Sequence, residues 1–208
     1  MTGESMRERM LAGELYIADD PQLGLDDARA QRLAHRINTT DPTDGATMRA
    51  LLTELLGGYG EGSLIRPPLR CDYGYQTTFG ARSFANFGLI CNDVATITIG
   101  DDVQIGPGVQ LLTSTHPLEP GPRRDKWEAA RPIVIGDNVW LGGGVIVCPG
   151  VTIGADTVVG AGSVVVRDLP AGVLAVGNPA RIVRHLDPQA TVRSVDPQTI
   201  AQHDEPRV

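Results

Sequence analysis

The sequence predicts a mainly β protein, a parallel β-helix with a small helical subdomain at its N-terminal end and one protruding loop. Three observations lead to this fold class: a six-residue period of branched aliphatic residues, a proline-rich segment that interrupts this period, and a helical pattern within the first 60 residues. Composition agrees with it. Glycine accounts for 25 of the 208 residues and aromatic residues for only 4%, which suits a core of small and branched side chains between tight turns.

The six-residue period runs, with one gap, from Ile99 to Val165. Its leading apolar positions are Ile99, Ile105 and Leu111 before the gap, then Ile135, Leu141, Val147, Ile153, Val159 and Val165. Because side chains alternate across a strand, each leading residue and the residue two places before it point toward the same side, the axis of the coil. A fixed period of this kind is the signature of a parallel β-helix.

The sixth position of each repeat is expected to face outward, and in the later repeats it is apolar. It holds Ile146, Val158 and Val164. Such a surface promotes aggregation unless another subunit or a ligand covers it. The pattern therefore predicts an oligomer.

Helical periodicity and polar composition set the expected domain boundaries. Apolar residues recur at i, i+3, i+4, i+7 and i+8 between Met48 and Leu56, with Gly57 at the place of a C-cap, and a second helix is expected within residues 24–40. We expect a helical subdomain over 1–60, the β-helix over 61–186 with its loop at 117–132, and a flexible polar tail over 187–208.

Charge, hydropathy and cysteine content exclude several functional classes. The net charge of −7 and the pI near 5.0 argue against nucleic acid as a partner, and no apolar run approaches the length of a membrane span. The start of the chain lacks a signal peptide, which favours a soluble cytoplasmic protein. The three cysteines form no CxxC pair, and the repeat with its break contains one histidine, so neither a disulfide framework nor a metal site is expected.

His116 stands where the six-residue period stops. Pro117 has no backbone N–H to continue the ladder, and the polar, proline-rich segment 117–132 is expected to leave the coil as an exposed loop. A histidine on a rigid strand beside a loop suits a general base at neutral pH. A histidine that only caps a turn before proline would look the same, so these residues leave both interpretations open.

Several motifs together make the chain resemble the maltose and galactoside O-acetyltransferases, including the nodulation acetyltransferases, over about residues 6–184. The motifs are AGELY at Ala12–Tyr16, CDYGYQTTFG at Cys71–Gly80, SFANF at Ser83–Phe87, TSTHPLEP, IGDNVWLGGGVIVCPGVTIG and VGNPARIV. The resemblance implies a left-handed β-helix, a homotrimer, acetyl-CoA as donor and a sugar hydroxyl as acceptor. The left hand would be an exception to the usual right-handed crossover.

The resemblance also implies roles for individual residues. His116 corresponds to the general base and Asn86 to the donor that stabilises the oxyanion, while Asp93 falls near the carboxylate that binds the acceptor, with Tyr73 and Asp20 as weaker acceptor candidates. For acetyl-CoA the resemblance points to a groove lined by Trp140, Gly143 and Ala161, with Val166 as a further candidate. Arg167, Arg181 and Arg184 are added as candidates because they lie late in the chain, where cations can bind the nucleotide phosphates; three solvated arginines would look the same in the sequence. Gly143 stands where some relatives have serine, and Val166 replaces a threonine.

Two alternatives remain at this stage. The first alternative is that the chain is an acetyltransferase of the same fold whose acceptor is a xenobiotic or an amino-sugar nucleotide. The second is that it is a non-catalytic β-helix scaffold, which only presents surfaces to partners. The loop beside His116 argues against a scaffold, which has no need of it.

Overall fold

The computed structural model describes residues 4–189, a range that leaves most of the expected tail outside the described residues. Within that range the chain forms a parallel β-helix preceded by three helices, α1 (Met6–Leu11), α2 (Pro21–Thr39) and α3 (Gly45–Leu55). No helix in the described part of the chain is both long and apolar enough to cross a membrane.

Each of the three helices begins at a side-chain cap. Ser5 and Glu8 form a reciprocal capping box on α1, while Asp20 and Asp44 accept backbone N–H groups at the starts of α2 and α3. The second helix begins before the expected range 24–40 because Asp20 is an N-cap and Pro21 occupies the first turn.

The strands are short and stack into three parallel sheets, one on each side of the coil. Sheet I contains β2 (Gly58–Tyr59), β5 (Thr77–Phe79), β8 (Ile97–Ile99), β13 (Ile133–Ile135) and β16 (Thr152–Ile153). Sheet II contains β3 (Leu64–Ile65), β6 (Phe84–Ala85), β9 (Gln104–Ile105), β14 (Trp140–Leu141), β17 (Val158–Val159), β19 (Val173–Val176) and the antiparallel β20 (Arg181–His185). Sheet III contains β4 (Leu69–Cys71), β7 (Leu89–Asn92), β10 (Gln110–Leu112), β15 (Ile146–Val147) and β18 (Val164–Val165).

The strand register confirms the predicted β-helix. Trp140 pairs with Val158, a step of 18 residues that corresponds to three repeats of six. All nine leading positions of the repeat are buried, with Leu141, Val147, Ile153, Val159 and Val165 fully so. Glycine at the corners is required by close stacking: a Cβ at Gly142 would lie 2.5 Å from the backbone nitrogen of Ala161.

The helices α2 and α3 close the N-terminal end of the coil. Ile37, Leu51 and Leu55 belong to the same buried cluster as Ile65 and Leu69 of the first strands. The side chain of Asn38 makes two hydrogen bonds to the backbone of Leu69, at 2.8 and 2.9 Å. Because the amide satisfies groups that a further strand would otherwise pair with, this edge of sheet III is protected.

The segment after His116 leaves the coil and folds back on it. Gln104 pairs with Trp140, a step of 36 residues in place of 18. The additional residues contain α4 (Pro120–Arg124) and β12 (Trp127–Ala130). The strand β12 pairs antiparallel with β11 (Ser114–Thr115) and with β1 (Tyr16–Ile17), so the loop is anchored to the N-terminal subdomain.

Candidate active site

His116 follows β11 directly and faces the returning strand β12. Its Nδ1 atom lies 3.4 Å from the carbonyl oxygen of Trp127, and its Nε2 atom lies 4.0 Å from Oε2 of Glu128. The His116 side chain is 54% exposed, whereas that of Glu128 is only 17% exposed. A proton on Nδ1 directed at the carbonyl leaves the lone pair on Nε2, which is the tautomer that a general base needs.

A cavity of about 500 Å³ opens beside the imidazole, between the loop and the N-terminal subdomain. We call it the loop cavity, and its lining residues are Ile17, Ala18, Asp19, His116, Arg123, Lys126 and Glu128. Two cationic side chains, Arg123 and Lys126, and two carboxylates, Asp19 and Glu128, therefore line the cavity together with the histidine.

A smaller and more polar cavity of about 340 Å³ adjoins the loop cavity and shares Ala18 and Glu128 with it. We call it the polar pocket; its hydrogen-bonding residues include Tyr16, Asp27, Asp72, Tyr73, Asn92, Ser114 and Glu128. Carboxylates, an amide and hydroxyl groups in one pocket are the groups that bind a polyhydroxyl ligand. Tyr73, one of the expected acceptor residues, lies in this pocket.

Asp72 and Asn92 form the fixed centre of the polar pocket. The Asn92 side-chain nitrogen donates to the carboxylate of Asp72, while its oxygen accepts from the backbone and the hydroxyl of Ser114, at 3.0 and 2.6 Å. Burial raises the pKa of the Asp72 carboxyl, and the hydrogen bond from Asn92 opposes that rise. Burial, and then the charge of Glu128, raise the pKa of Tyr16, which stays a neutral phenol.

Two of the expected acceptor residues have structural positions instead. Asp93 is fully buried, and its carboxylate accepts hydrogen bonds from the backbone of Asp72 and Tyr73 and from Thr77. Asp20 caps α2, and its second oxygen accepts from the backbone N–H of Arg7 at 3.0 Å. Neither lines the polar pocket or the loop cavity, so the structure gives both a structural position where direct acceptor contact was expected. The carboxylates that line the polar pocket are Asp27, Asp72 and Glu128.

Asn86 lies on the other side of the coil, in a groove of about 930 Å³ along sheet II. This donor groove is lined by Phe84, Asn86, Gln104, Ile105, Gly106, Pro107, Trp140, Gly142, Gly143, Val158, Gly160, Ala161, Leu174, Val176, Arg184 and Leu186. Four of the seven residues expected to bind acetyl-CoA therefore meet in it: Trp140, Gly143, Ala161 and Arg184. The other three, Val166, Arg167 and Arg181, do not line it.

The groove suits a long ligand with a narrow arm and an anionic end. Small residues, Gly143 and Ala161 among them, leave backbone groups accessible along its floor, and a Cβ at Gly143 would only reach ordinary contact with Pro107 at 3.4 Å. The indole of Trp140 is 55% exposed and forms an apolar wall. At the far end Arg184 supplies a cation suited to phosphate.

Asn86 and Arg184 lie far apart along sheet II, because Asn86 directly follows β6 near one end of the strand order and Arg184 lies on β20 at the other end. The Oδ1 atom of Asn86 accepts a hydrogen bond from the backbone N–H of Phe87 at 2.9 Å. Within residues 4–189 the Nδ2 atom donates to no protein acceptor, so its hydrogens are available to a ligand. A fixed amide donor of this kind is what an oxyanion requires.

The single chain does not bring His116 and Asn86 together. The loop cavity and the donor groove share no lining residue, because one adjoins the end of sheet III and the other follows sheet II. The outer residues Ile146, Val158 and Val164 are only half-buried, and Val158 lines the donor groove. A ligand therefore suffices to cover Val158, whereas Ile146 and Val164 form a separate apolar surface on sheet III.

In the described part of the chain, no three residues among the histidines, cysteines, aspartates and glutamates are grouped so that they could hold a metal ion.

Comparison with known protein families matches two parts of the chain. Residues 9–60 match the maltose acetyltransferase hexapeptide capping motif, and residues 132–167 match the bacterial transferase hexapeptide, with six repeats. The first match covers the helical subdomain and the second covers the later coils.

Similar proteins span nearly the whole chain. Nodulation protein L of Rhizobium meliloti is 46% identical over 178 residues, which cover 86% of this chain and 97% of that protein. The galactoside O-acetyltransferase of Escherichia coli is 37% identical over 182 residues, 88% of this chain and 90% of its own.

Solved structures show the same architecture. A maltose O-acetyltransferase from Clostridium difficile superposes with a TM-score of 0.87 at 39% identity, over 89% of this chain and 100% of that one. A galactoside acetyltransferase in complex with coenzyme A has a TM-score of 0.84 at 36% identity, over 89% and 92% of the two chains. This chain therefore belongs to the maltose and galactoside O-acetyltransferase family of hexapeptide-repeat enzymes, and the predicted class, acetyl-CoA-dependent O-acetyltransferase, is confirmed.

Proposed function

We propose that this enzyme transfers the acetyl group of acetyl-CoA to a hydroxyl of a sugar or glycoside, with His116 as general base. The observation that carries the proposal is the polar pocket beside His116, in which Asp72, Asn92 and Glu128 offer acceptors and donors to several hydroxyl groups. Relatives named galactoside and maltose O-acetyltransferase support a sugar as the acceptor.

The chemistry follows from the two ends of the site. A sugar hydroxyl is a poor nucleophile, so Nε2 of His116 accepts its proton as the oxygen attacks the thioester carbonyl carbon. A C–O ester bond forms and the C–S bond breaks, and His116 then returns the proton to the departing sulfur. The amide of Asn86 donates to the carbonyl oxygen while that oxygen carries negative charge.

The donor groove is proposed to bind acetyl-CoA, as coenzyme A binds in the solved complex of a relative. Trp140 would contact the pantetheine arm, Arg184 would bind the nucleotide phosphates, and the thioester would lie at Asn86. Support for this orientation comes from the strand order of sheet II, in which Arg184 lies on β20 at one end and Asn86 follows β6 near the other.

A homotrimer is proposed because the reaction needs His116 and Asn86 on one carbonyl group. Within one chain they line separate cavities on different sides of the coil, so the donor groove of one subunit must meet the loop cavity of its neighbour. The half-buried Ile146 and Val164 offer an apolar surface for that contact, as does the exposed Val166. We place the enzyme in the cytoplasm, where acetyl-CoA is available.

The test measures thiol release from acetyl-CoA with glucose, maltose, galactosides, an amino-sugar nucleotide and small aromatic alcohols. The highest kcat/KM is expected with a sugar or glycoside, and mass spectrometry should show an O-acetyl ester. A clear preference for the amino-sugar nucleotide or a non-sugar alcohol would overturn the proposed acceptor.

The proposed homotrimer is tested by sedimentation, which is expected to give three times the mass of the chain. A monomer that is fully active would contradict a site shared between subunits.

A further inference from the structure

A second groove lies at the N-terminal end of sheet II, between the first coils and the helix α3. It has a volume of about 570 Å³, and we call it the arginine groove. Its lining residues are Pro42, Gly45, Met48, Arg49, Tyr59, Ser63, Leu64, Ile65, Arg66, Pro67, Phe84 and Phe87. The walls are thus largely apolar and aromatic, with two cationic side chains among them.

Both arginines are held over aromatic rings. The guanidinium carbon of Arg66 lies 4.0 Å from the ring centroid of Phe87, and that of Arg49 lies 5.2 Å from the centroid of Tyr59. Stacking on a ring fixes the plane of the guanidinium and leaves the N–H groups at its edge able to bind a carboxylate or phosphate. Both terminal nitrogens of Arg49 make long hydrogen bonds to the carbonyl oxygen of Gly60, at 3.4 and 3.5 Å, whereas the guanidinium of Arg66 donates to no acceptor within residues 4–189, so Arg66 is the main anion-binding group.

The charge of this groove is not compensated by the protein. No carboxylate lines it, and within residues 4–189 neither Arg49 nor Arg66 forms an ion pair. The whole chain, by contrast, carries a net charge of −7. A concave surface with two unpaired cations on an acidic protein is complementary to an anion.

The arginine groove continues into the donor groove. Phe84 lines both of them. The first two coils pair Leu64 with Phe84 and Ile65 with Ala85, which places Arg66 one coil before Asn86, about 4.8 Å along the stack. The acceptor hydroxyl must reach the thioester carbon at Asn86 to react, so the remainder of an acceptor can extend from there past Phe84 into the arginine groove.

We propose that the arginine groove binds the distal part of the acceptor, and that the preferred acceptor is a glycoside whose aglycone or neighbouring sugar carries a carboxylate or phosphate. This proposal rests on the proposed sugar O-acetyltransferase function. Phe84, Phe87 and Tyr59 contact the apolar or planar part of the acceptor, while Arg66 and Arg49 bind its anion through charge-assisted hydrogen bonds.

The experiment compares four glucosides that differ only in the substituent at position 4 of the phenyl aglycone: phenyl, 4-nitrophenyl, 4-carboxyphenyl and 4-phosphonophenyl glucoside. With the full-length enzyme, kcat/KM for the better of the two anionic glucosides is expected to exceed that for the phenyl compound about tenfold, and the ratio should fall as salt rises. The carboxylate and phosphonate arms show which anion is bound. The neutral 4-nitrophenyl compound separates the effect of charge from that of polarity.

Variants assign this preference to the arginines. The ratio of anionic to neutral kcat/KM is expected to fall to near one in Arg66→Ala and to fall severalfold in Arg49→Ala, while Arg66→Lys should keep part of it. Arg70→Ala is the matched control, because Arg70 is an exposed arginine of the same coil that does not line the groove, and it should keep the full ratio.

Three results would overturn the proposal. Equal kcat/KM for neutral and anionic glucosides in the parent enzyme would remove the anion preference while leaving the proposed function intact, since turnover itself is measured. A raised KM for acetyl-CoA in Arg66→Ala with the phenyl glucoside would assign the arginine to the donor. If no glucoside is acetylated, the proposed function fails. Anion binding in the arginine groove can then still be tested by calorimetry of 4-carboxyphenyl glucoside with the parent enzyme and with Arg66→Ala. Equal affinities for the two proteins, or no binding to either, would refute the proposal that the arginine groove binds the anion.

Discussion

Nη1 of Arg123 donates a hydrogen bond to the carbonyl oxygen of Leu118 at 2.7 Å. The same nitrogen lies 3.0 Å from the carbonyl oxygen of Pro117. The guanidinium therefore ties α4 to the two residues that follow His116, and it does so at the wall of the loop cavity. Since the proposed general base must be held in place during attack, this contact is positioned to restrict the loop that begins directly after His116.

We expect Arg123→Ala to lower kcat about tenfold, or about 1.4 kcal/mol of transition-state stabilisation, because the loop loses this restraint. Arg124→Ala is the matched control. Arg124 is the neighbouring arginine of α4, exposed and outside the loop cavity, and its loss should leave kcat nearly unchanged. Steady-state kinetics with saturating acetyl-CoA measure both, and equal effects of the two substitutions would refute the role of Arg123.

For His116→Ala we expect kcat to fall by about 10² to 10⁴, the usual contribution of general-base catalysis. The KM for acetyl-CoA should change little, because the imidazole lies outside the donor groove. Calorimetry with coenzyme A checks the retained binding. A variant that kept more than about a tenth of the parent kcat on the best acceptor would return His116 to the role of a turn residue before Pro117.

The fold is largely predictable from the sequence because the apolar pattern within each six-residue repeat is enough to predict which of its residues is buried. Ile135, Leu141 and Val147 occupy equivalent positions, and the same local rule, an apolar residue at every sixth place, buries all of them. The donor groove follows from this regularity, since Gly143 and Ala161 lie on successive coils. What the period cannot give is the path of the loop, which depends on the pairing of β12 with β1 in a distant part of the chain.

The polar pocket is harder to predict from the sequence than the fold, although two local sequence patterns indicate the structural positions of Asp93 and Asp20. Leu89 and Cys91 are buried on β7, and Asp93, the residue directly after this strand, continues the same alternation and is buried too, so alternation alone predicts that Asp93 lies inside. Asp20 precedes a proline, which is the pattern of an N-cap. Glu128 gave no comparable signal, because it reaches the pocket only through the folding of the loop.

The late arginines are expected to differ in their effect on acetyl-CoA. Arg184 lines the donor groove, whereas Arg167 does not, and both are exposed. Arg184→Ala should raise the KM for acetyl-CoA severalfold, more at low salt because an exposed ion pair is screened, with the acceptor KM unchanged. Arg167→Ala is the control and should leave both constants unchanged. A similar rise in the two variants would show that general positive charge, and not a specific phosphate contact, is responsible.

The buried Asp93 makes stability depend on pH. Burial is the largest influence on its carboxyl and raises the pKa to about 6, against hydrogen bonds from the backbone of Tyr73 and from Thr77 that favour the charged form. The charge of nearby Asp72 raises it further. In the unfolded chain the same group titrates near about 3.9, so between these two values the folded protein binds more protons than the unfolded one.

It follows that the contribution of Asp93 is fully present below the unfolded pKa and is lost as pH rises through about 6. Asp93→Asn keeps an oxygen for the backbone N–H groups of Asp72 and Tyr73 but cannot ionise. The free energy of unfolding of the parent protein, taken relative to that of Asp93→Asn, should therefore fall by about 2 kcal/mol between pH 4 and pH 7.

Taking the difference between the two proteins cancels the titration of exposed carboxylates such as Asp41, whose pKa is lowered by hydrogen bonds from Thr43. Urea unfolding followed by circular dichroism at several pH values measures it. A difference that stays constant with pH, or that rises as pH rises, would show that Asp93 is charged in the fold at low pH and that its hydrogen bonds outweigh its burial.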